Sequence, residues 1–192
     1  MVHLKEGEFF TSIGERWSLS ILLALKDADR PIILKELSSV TGNPQSLRLR
    51  LDRMEEEGLI DMVIVLSPHK YVTISLTDNG KEVVSLLSQV DSMVAPERIT
   101  REKSIDMRYA DPILRMLLDR EYIVQKEILE IIKSYSSVTK VLQALEDDGL
   151  VFHSLKEEWP KENRYSLTPL GRKVAEIYQS VFEIIDSVRF KE

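Results

Sequence analysis

Apolar residues in the first half of the chain follow a helical spacing. Residues 15–25 are mostly apolar and predict a buried helix, in which we expect Trp17 to anchor the core. Leu34 and Leu37 share one face of a short second helix. Thr41-Gly42-Asn43-Pro44 combines a helix-ending glycine, an N-cap asparagine and a first-turn proline. A third helix is therefore predicted to begin there.

The pattern then changes from helical spacing to strand alternation and back again. Leu47, Leu51 and Met54 lie on the predicted core face of the third helix. Residues 60–66 and 71–76 are rich in β-branched residues and predict a hairpin. A closing helix from about residue 79 has its apolar positions at Val83, Leu87, Val90 and Val94. This is the order of a winged helix-turn-helix, whose third helix enters the DNA major groove while the hairpin, or wing, follows the backbone.

The whole pattern occurs twice along the chain. Three motifs recur 91 residues later: Gly58-Leu59 as Gly149-Leu150, Ser75-Leu76-Thr77 as Ser166-Leu167-Thr168, and Gly80-Lys81 as Gly171-Arg172. Solenoid periods are only about 20–50 residues, so this repeat indicates a duplicated domain. In the second half, the predicted helices cover 113–118, about 124–132 and about 136–147, followed by a hairpin over 151–167.

These patterns predict an α+β, mainly α fold of two tandem winged helix-turn-helix domains related by an internal repeat. We expect the domains at residues 1–95 and 111–192, with a linker at 96–110. The closing stripe of the first half is expected to pair with Val174, Tyr178, Val181 and Ile185 of the second half. Such pairing would make the chain a monomeric pseudo-dimer; the alternative is a homodimer through the closing helices.

Composition removes several classes of function. The 192 residues include no cysteine, which excludes disulfides, thiolate metal sites and thiol-based sensing. His3, His69 and His153 are too scattered for a metal site, and we predict neither metal nor cofactor. There is no glycine-rich phosphate loop or nucleophile elbow, so the chain is predicted not to be an enzyme. No apolar run approaches a membrane span of about 20 residues and no signal segment is visible, which predicts a cytoplasmic protein.

The charge balance is unusual for a protein that binds nucleic acid. The formal net charge is −6, whereas DNA-binding proteins usually carry a basic surface that displaces phosphate counterions. Any contact with DNA must therefore come from local basic patches.

Several motifs together resemble a known family. They are Gly14-Glu15-Arg16-Trp17-Ser18-Leu19-Ser20-Ile21-Leu22, Lys35-Glu36-Leu37, the run from Asn43 to Leu51, the run from Glu55 to Ile60, and Ser75-Leu76-Thr77 with Gly80. Over residues 13–95 they resemble the HxlR-type winged-helix transcriptional regulators, relatives of the MarR group. In the second half, residues 164–172 resemble the wing-to-helix junction of winged-helix regulators generally. The resemblance implies binding of double-stranded DNA through the third helix and a dimer built with terminal helices. The family commonly has an N-terminal cysteine and one domain per chain, and this chain departs from both.

The outward positions of each third helix and wing are the candidate DNA contacts. In the first half they are Gln45, Ser46, Arg48, Leu49 and Arg53 on the helix, with His69 and Lys70 on the wing. In the second half they are Ser136, Thr139, Lys140 and Gln143 on the helix, with Lys161 and Arg164 on the wing. Arginine can engage guanine through two hydrogen bonds, while an exposed leucine could meet a thymine methyl or a protein partner.

Two functions fit these observations. The first is a sequence-specific DNA-binding transcriptional regulator that uses the third helices in the major groove and the wings on the backbone. The alternative is a tandem winged-helix protein–protein interaction module or scaffold that does not bind DNA directly. The arginines of the first third helix favour DNA, whereas the acidic balance and Leu49 favour a protein partner.

Overall fold

The computed structural model of the chain describes residues 11–15, 17–28, 30–41, 44–66, 70–94, 103–156, 159 and 161–189. The first half has, in order, a 3-10 turn at Ser12–Gly14, α1 (Ser18–Ala28), β1 (Ile32–Ile33), α2 (Leu34–Thr41), α3 (Pro44–Glu56), β2 (Ile60–Val65), β3 (Tyr71–Leu76) and α4 (Asp78–Met93). The second half has a 3-10 turn at Ser104–Asp106, α5 (Ala110–Leu118), β4 (Ile123–Val124), α6 (Gln125–Ile131), α7 (Tyr135–Asp147), β5 (Val151–Lys156), β6 (Glu162–Leu167) and α8 (Pro169–Arg189). The predicted mainly α fold of two tandem winged helix-turn-helix units is confirmed.

A third strand completes each sheet and was not predicted. β1 pairs antiparallel with β3, with Ile32 opposite Ile74, and β4 pairs antiparallel with β6, with Ile123 opposite Tyr165. The strand orders are β1-β3-β2 and β4-β6-β5. These strands are two residues long, too short to produce a recognisable alternation in sequence.

The residue before the first helix adopts a left-handed backbone in both halves. Trp17 has φ 68° and Tyr109, 92 residues later, has φ 76°. Each immediately precedes its helix, so α1 begins at Ser18 rather than at the predicted residue 15. Trp17 is only half-buried, and the Arg50 guanidinium lies 5.2 Å from its ring centroid. The prediction that Trp17 anchors the core is wrong because the indole covers this arginine at the helix start.

A threonine and a glycine join each wing to the following helix in the same way. The Thr77 hydroxyl donates to the Gly58 carbonyl (2.6 Å) and accepts from the Gly80 amide (2.9 Å), which caps α4. A Cβ added at Gly80 would lie 1.9 Å from the Leu59 carbonyl oxygen, so only glycine fits there. Thr168 makes the same two bonds at the start of α8. This junction explains why the Thr and Gly motifs recur.

An acidic side chain at the end of each third helix fixes the preceding 3-10 turn. The buried Glu57 carboxylate accepts from the Ser12 amide at 3.0 Å. In the second half, Asp148 accepts from the Ser104 amide at 3.0 Å. The carboxylate thus sets the position of each third helix relative to the segment that precedes the first helix.

The closing helices join the two halves through one apolar layer. α4 packs along α8, and α1 and α5 lie against them. The predicted stripe residues are all buried: Val83, Leu87, Val90 and Val94 in the first half and Val174, Tyr178, Val181 and Ile185 in the second. The core is therefore continuous between the halves rather than split into two.

Candidate nucleic-acid interface

The third helix of the first half has one buried side and one exposed side. Leu47, Leu51 and Met54 are fully buried, as predicted, and hold α3 against α2 and the sheet. Gln45 is exposed, and Leu49 is 74% exposed although it is apolar. The proline at its first position fixes where the helix starts. A rigid scaffold thus presents a defined solvent-facing strip.

Arg48 lies on this exposed side of α3 and forms a weak ion pair. Its Nε donates to Asp52 Oδ1 at 2.9 Å, one helical turn along, and its side chain is 48% exposed. Exposed ion pairs of this spacing stabilise by about 0.3–0.5 kcal/mol. A phosphate or a guanine edge can therefore take this guanidinium from Asp52 at small energetic cost.

The guanidinium groups of Arg50 and Arg53 instead contact other groups of the protein. Arg53 Nη1 lies 2.8 Å from Glu15 Oε1, and its Nε lies 3.6 Å from the buried Glu57 carboxylate. Arg50 donates to the Ser46 carbonyl at 2.9 Å while it packs over Trp17. Both guanidinium groups face the segment before α1. In this arrangement Arg53, a predicted DNA contact, connects α3 to that segment.

The third helix of the second half has a milder polar face. Ser136, Thr139, Lys140 and Gln143 are all exposed, in agreement with their predicted outward positions. The Thr139 hydroxyl accepts from Gln125 Nε2 of α6 at 3.1 Å, and Gln143 Nε2 donates to Asp147 at 3.0 Å. Lys140 is exposed on the same side of the helix and is the cationic residue among these four.

The wings place their basic residues unequally. Lys70 and Lys161 are exposed immediately before β3 and β6. Arg164 is instead half-buried: its Nη2 lies 3.1 Å from Glu162 Oε2, and its guanidinium lies 4.2 Å from the Tyr122 ring centroid. His69 lies outside the described residues. The structure thus leaves Lys70 and Lys161 accessible and packs Arg164 against the sheet.

Apolar side chains on both wings are exposed, and the sequence reasoning missed them. In the first wing these are Val63, Ile64, Leu66 and Tyr71, and in the second Phe152, Leu155 and Trp159. Trp159 is 91% exposed. The sequence of β2 could have indicated this exposure. β2 carries apolar residues at consecutive positions, so they lie on both faces of the sheet, whereas only one face packs on the core.

A buried ion pair in the second half was also missed. Asp111 Oδ1 lies 2.6 Å from Arg115 Nε, with both side chains almost fully buried. Burial raises the pKa of Asp111, and the charge of Arg115 opposes that rise. Tyr178 of α8 donates to the Ile105 carbonyl at 3.2 Å, and burial raises its pKa well above the usual value. These groups lie beside the α5–α8 packing and not on the exposed faces of α3 or α7.

The described ranges contain neither a cluster suited to a metal ion nor a membrane-spanning helix. No group of three or more His, Asp or Glu side chains there could hold a metal ion. No described helix is both long enough and apolar enough to cross a membrane.

The fold and the exposed third helices define a tandem winged helix-turn-helix protein. The model of the HxlR-like helix-turn-helix family matches residues 12–99 and matches again at residues 105–191. The chain therefore belongs to the HxlR-like helix-turn-helix family, whose members are DNA-binding transcription regulators rather than enzymes. The resemblance predicted for the first half is confirmed and extends to the second. No individual curated protein matches the chain.

Proposed function

We propose that this chain is a sequence-specific transcriptional regulator that inserts α3 and α7 into DNA major grooves and rests its wings on the backbone. The observation that carries the proposal is that both third helices bury one side and present an exposed cationic side chain on the other. Arg48 does so on α3 and Lys140 on α7. Membership in a family of DNA-binding regulators agrees with this use of the helices.

The residues take different roles in this proposal. Arg48 and Lys140 contact guanine edges or phosphates, and Leu49 meets a thymine methyl. The polar side chains around them, Gln45, Ser46, Ser136, Thr139 and Gln143, contact base edges or phosphates. Lys70 and Lys161, with His69, hold the backbone on either side. Arg53 and Arg164 act as positioning residues because their guanidinium groups already bind carboxylates.

The organisation of the chain follows from the same proposal. Residues 1–95 and 111–192 form the two domains, and 96–110 joins them. The packing of α4 on α8 supports a pseudo-dimer within one chain, since the closing stripes that a homodimer would need are already buried. One chain then supplies both reading helices.

The proposal is tested by fluorescence-anisotropy titration of duplex DNA across a salt series. Arg48→Ala and Lys140→Ala should each weaken binding, and each lost phosphate contact should reduce the slope of log affinity against log salt by about one unit. Lys26→Ala is the matched control: it removes one charge from α1, where Lys26 donates to Ser88 of α4, outside the reading helices and wings. Equal effects of all three substitutions, or no DNA binding at low salt, would contradict the proposal.

A second candidate function, a protein–protein interaction module, is favoured by the exposed apolar side chains of the wings. Leu66 and Trp159 are among the most exposed apolar residues described. Leu66→Ser and Trp159→Ser separate the two candidates because neither removes a charge. DNA affinity should change little in these variants if the third helices carry binding. The scaffold candidate instead predicts that the wild-type chain does not bind duplexes at all.

A further inference from the structure

The two halves contact each other through reciprocal pairs of equivalent residues. Trp17 and Tyr109 share a left-handed backbone and precede equivalent helices, which sets an offset of 92 for this part of the repeat. Under that offset, Gly14 corresponds to Asp106 and Ser20 corresponds to Pro112.

Both of the corresponding contacts are present. A Cβ at Gly14 would lie 3.3 Å from Pro112 Cδ, so the first 3-10 turn lies against α5. In the reverse direction, Ser20 of α1 donates to Asp106 Oδ2 of the second 3-10 turn at 2.8 Å. The packing of α4 on α8 is a third contact between equivalent elements.

Reciprocity of this kind identifies a two-fold relation between the halves. In a two-fold interface residue i contacts j while j contacts i, whereas a head-to-tail arrangement uses two different surfaces. The same operation that exchanges α1 with α5 also exchanges α3 with α7. The two reading helices are therefore inverted relative to each other, and two-fold protein symmetry corresponds to inverted half-sites on DNA.

The reading faces, in contrast, are not equivalent. At the offset of 91 that applies to the third helices, Ser46 matches Ser137, but four other outward residues of α3 differ from their counterparts on α7. The pairs are Gln45 with Ser136, Arg48 with Thr139, Leu49 with Lys140, and Asp52 with Gln143. The core positions remain apolar, as in Leu51 and Leu142, which are both buried. The scaffold is symmetric, but the chemistry presented to DNA is not.

We infer that one chain reads an inverted repeat with two unequal half-sites and binds it in a single orientation. This inference rests on the proposed function. On α3, Arg48 and Leu49 select guanine next to thymine, because arginine pairs with guanine and leucine packs on the thymine methyl. On α7, Lys140 takes the place of Leu49, so guanine is selected where the other half-site has thymine.

The experiment begins with selection of bound duplexes from a random pool by the wild-type chain. A bipartite inverted motif with different halves is expected. Failure to enrich any sequence would overturn the proposed function itself. Enrichment of a perfect palindrome, a direct repeat or a single half-site would overturn only the inference.

Orientation is then measured by tethered cleavage. The chain has no cysteine, so Trp159→Cys on the exposed second wing gives one attachment point for an iron chelate that cuts nearby DNA. Cleavage is expected at one flank of the selected site, with a bias of about tenfold or more, because each wrong base pair typically costs a factor of about five or more in affinity. Equal cleavage at both flanks would overturn the inference.

Exchange of the reading residues supplies the decisive variant. A variant with four substitutions exchanges the exposed side chains of α3 with those of α7: Leu49→Lys with Lys140→Leu, and Arg48→Thr with Thr139→Arg. Cleavage should move to the opposite flank. Unchanged orientation would show that something other than the third helices sets it. Leu49→Lys with Lys140→Leu alone serves as a second variant, in which the bias should fall or reverse.

Discussion

The buried ion pair of Asp111 and Arg115 has no counterpart at the equivalent positions of the first half, and this difference yields a prediction about stability. Arg115 Nε lies 2.6 Å from Asp111 Oδ1 and its Nη2 lies 3.3 Å from Oδ2, so the contact is bidentate. The guanidinium also lies 4.1 Å from the centroid of the Phe182 ring. At the offset of 92 residues, α1 has Leu19 and Leu23 at these two positions. The first half therefore fills the equivalent positions of the fold with apolar side chains.

The expected magnitudes follow from the burial of both partners. Removal of one partner leaves a buried charge without its counter-ion, which typically costs about 3–5 kcal/mol. Arg115→Leu and Asp111→Leu should each lower the free energy of unfolding by that amount. Replacement of both by leucine removes both buried charges, and such replacements are often neutral or stabilising by about 1–4 kcal/mol. The double variant should therefore be at least as stable as the wild type.

Urea unfolding followed by far-UV circular dichroism measures these values for the four proteins of a double-mutant cycle. Equal m-values would show that the unfolding transition keeps its character. The reasoning is refuted if the double variant loses as much stability as the two single variants together. It is equally refuted if either single substitution costs under about 1 kcal/mol, the value of an exposed pair.

The pH dependence of Arg115→Leu gives an independent check. Burial raises the pKa of Asp111, and Arg115 opposes this rise, so removal of Arg115 should raise that pKa further. A carboxyl group with a raised pKa favours folding most when protonated, and this contribution is lost as pH rises through the folded-state pKa. The stability deficit of Arg115→Leu should therefore shrink as the pH falls toward about 4. A deficit independent of pH would contradict the assignment of the cost to a buried carboxylate.

Three further predictions address the packing of α8 and the support of α3. Gly58→Ala should destabilise more than Gly149→Ala: both glycines have positive φ, with a cost of about 1–2 kcal/mol for alanine, but only Gly58 faces Val188, 2.9 Å from the added Cβ. Equal losses of thermal stability would contradict the described position of α8. Tyr178→Phe should lower the free energy of unfolding by about 1 kcal/mol at neutral pH. Because the pKa of the Tyr178 phenol is raised in the folded protein, the higher stability of the wild type should vanish as pH rises above about 10. A difference in stability that stays constant with pH in urea titrations would contradict this prediction. Arg53→Ala should lower the melting temperature and weaken DNA binding without a change in sequence preference, whereas an altered preference would identify it as a base contact.

The sequence predicted those features that local patterns specify. The start of α3 was predicted correctly because Gly42-Asn43-Pro44 combines a helix-ending glycine with an N-cap asparagine and a first-turn proline. The closing stripes were found because α4 and α8 repeat apolar residues at helical spacing. The 91-residue repeat gave the tandem architecture directly.

Features that depend on distant partners were not predictable in the same way. Arg53 has an outward position on its helix, yet its partner Glu15 lies 38 residues away in sequence. Asp111 and Arg115 have the spacing of an ordinary exposed helix pair, but α8 and the first 3-10 turn pack against α5 in the folded chain, and the pair is buried. β1 and β4 have no periodicity of their own and exist because neighbouring strands supply their hydrogen bonds.

The central claim, that one chain reads one DNA site with two helices, is most directly tested by native mass spectrometry. The protein is mixed with the duplex selected from the random pool, and the mass of the complex is measured. The account predicts one 22.2 kDa chain per duplex, with the complex lost when Arg48 and Lys140 are both replaced by alanine. Two chains per duplex, or no complex with any duplex at low salt, would contradict it.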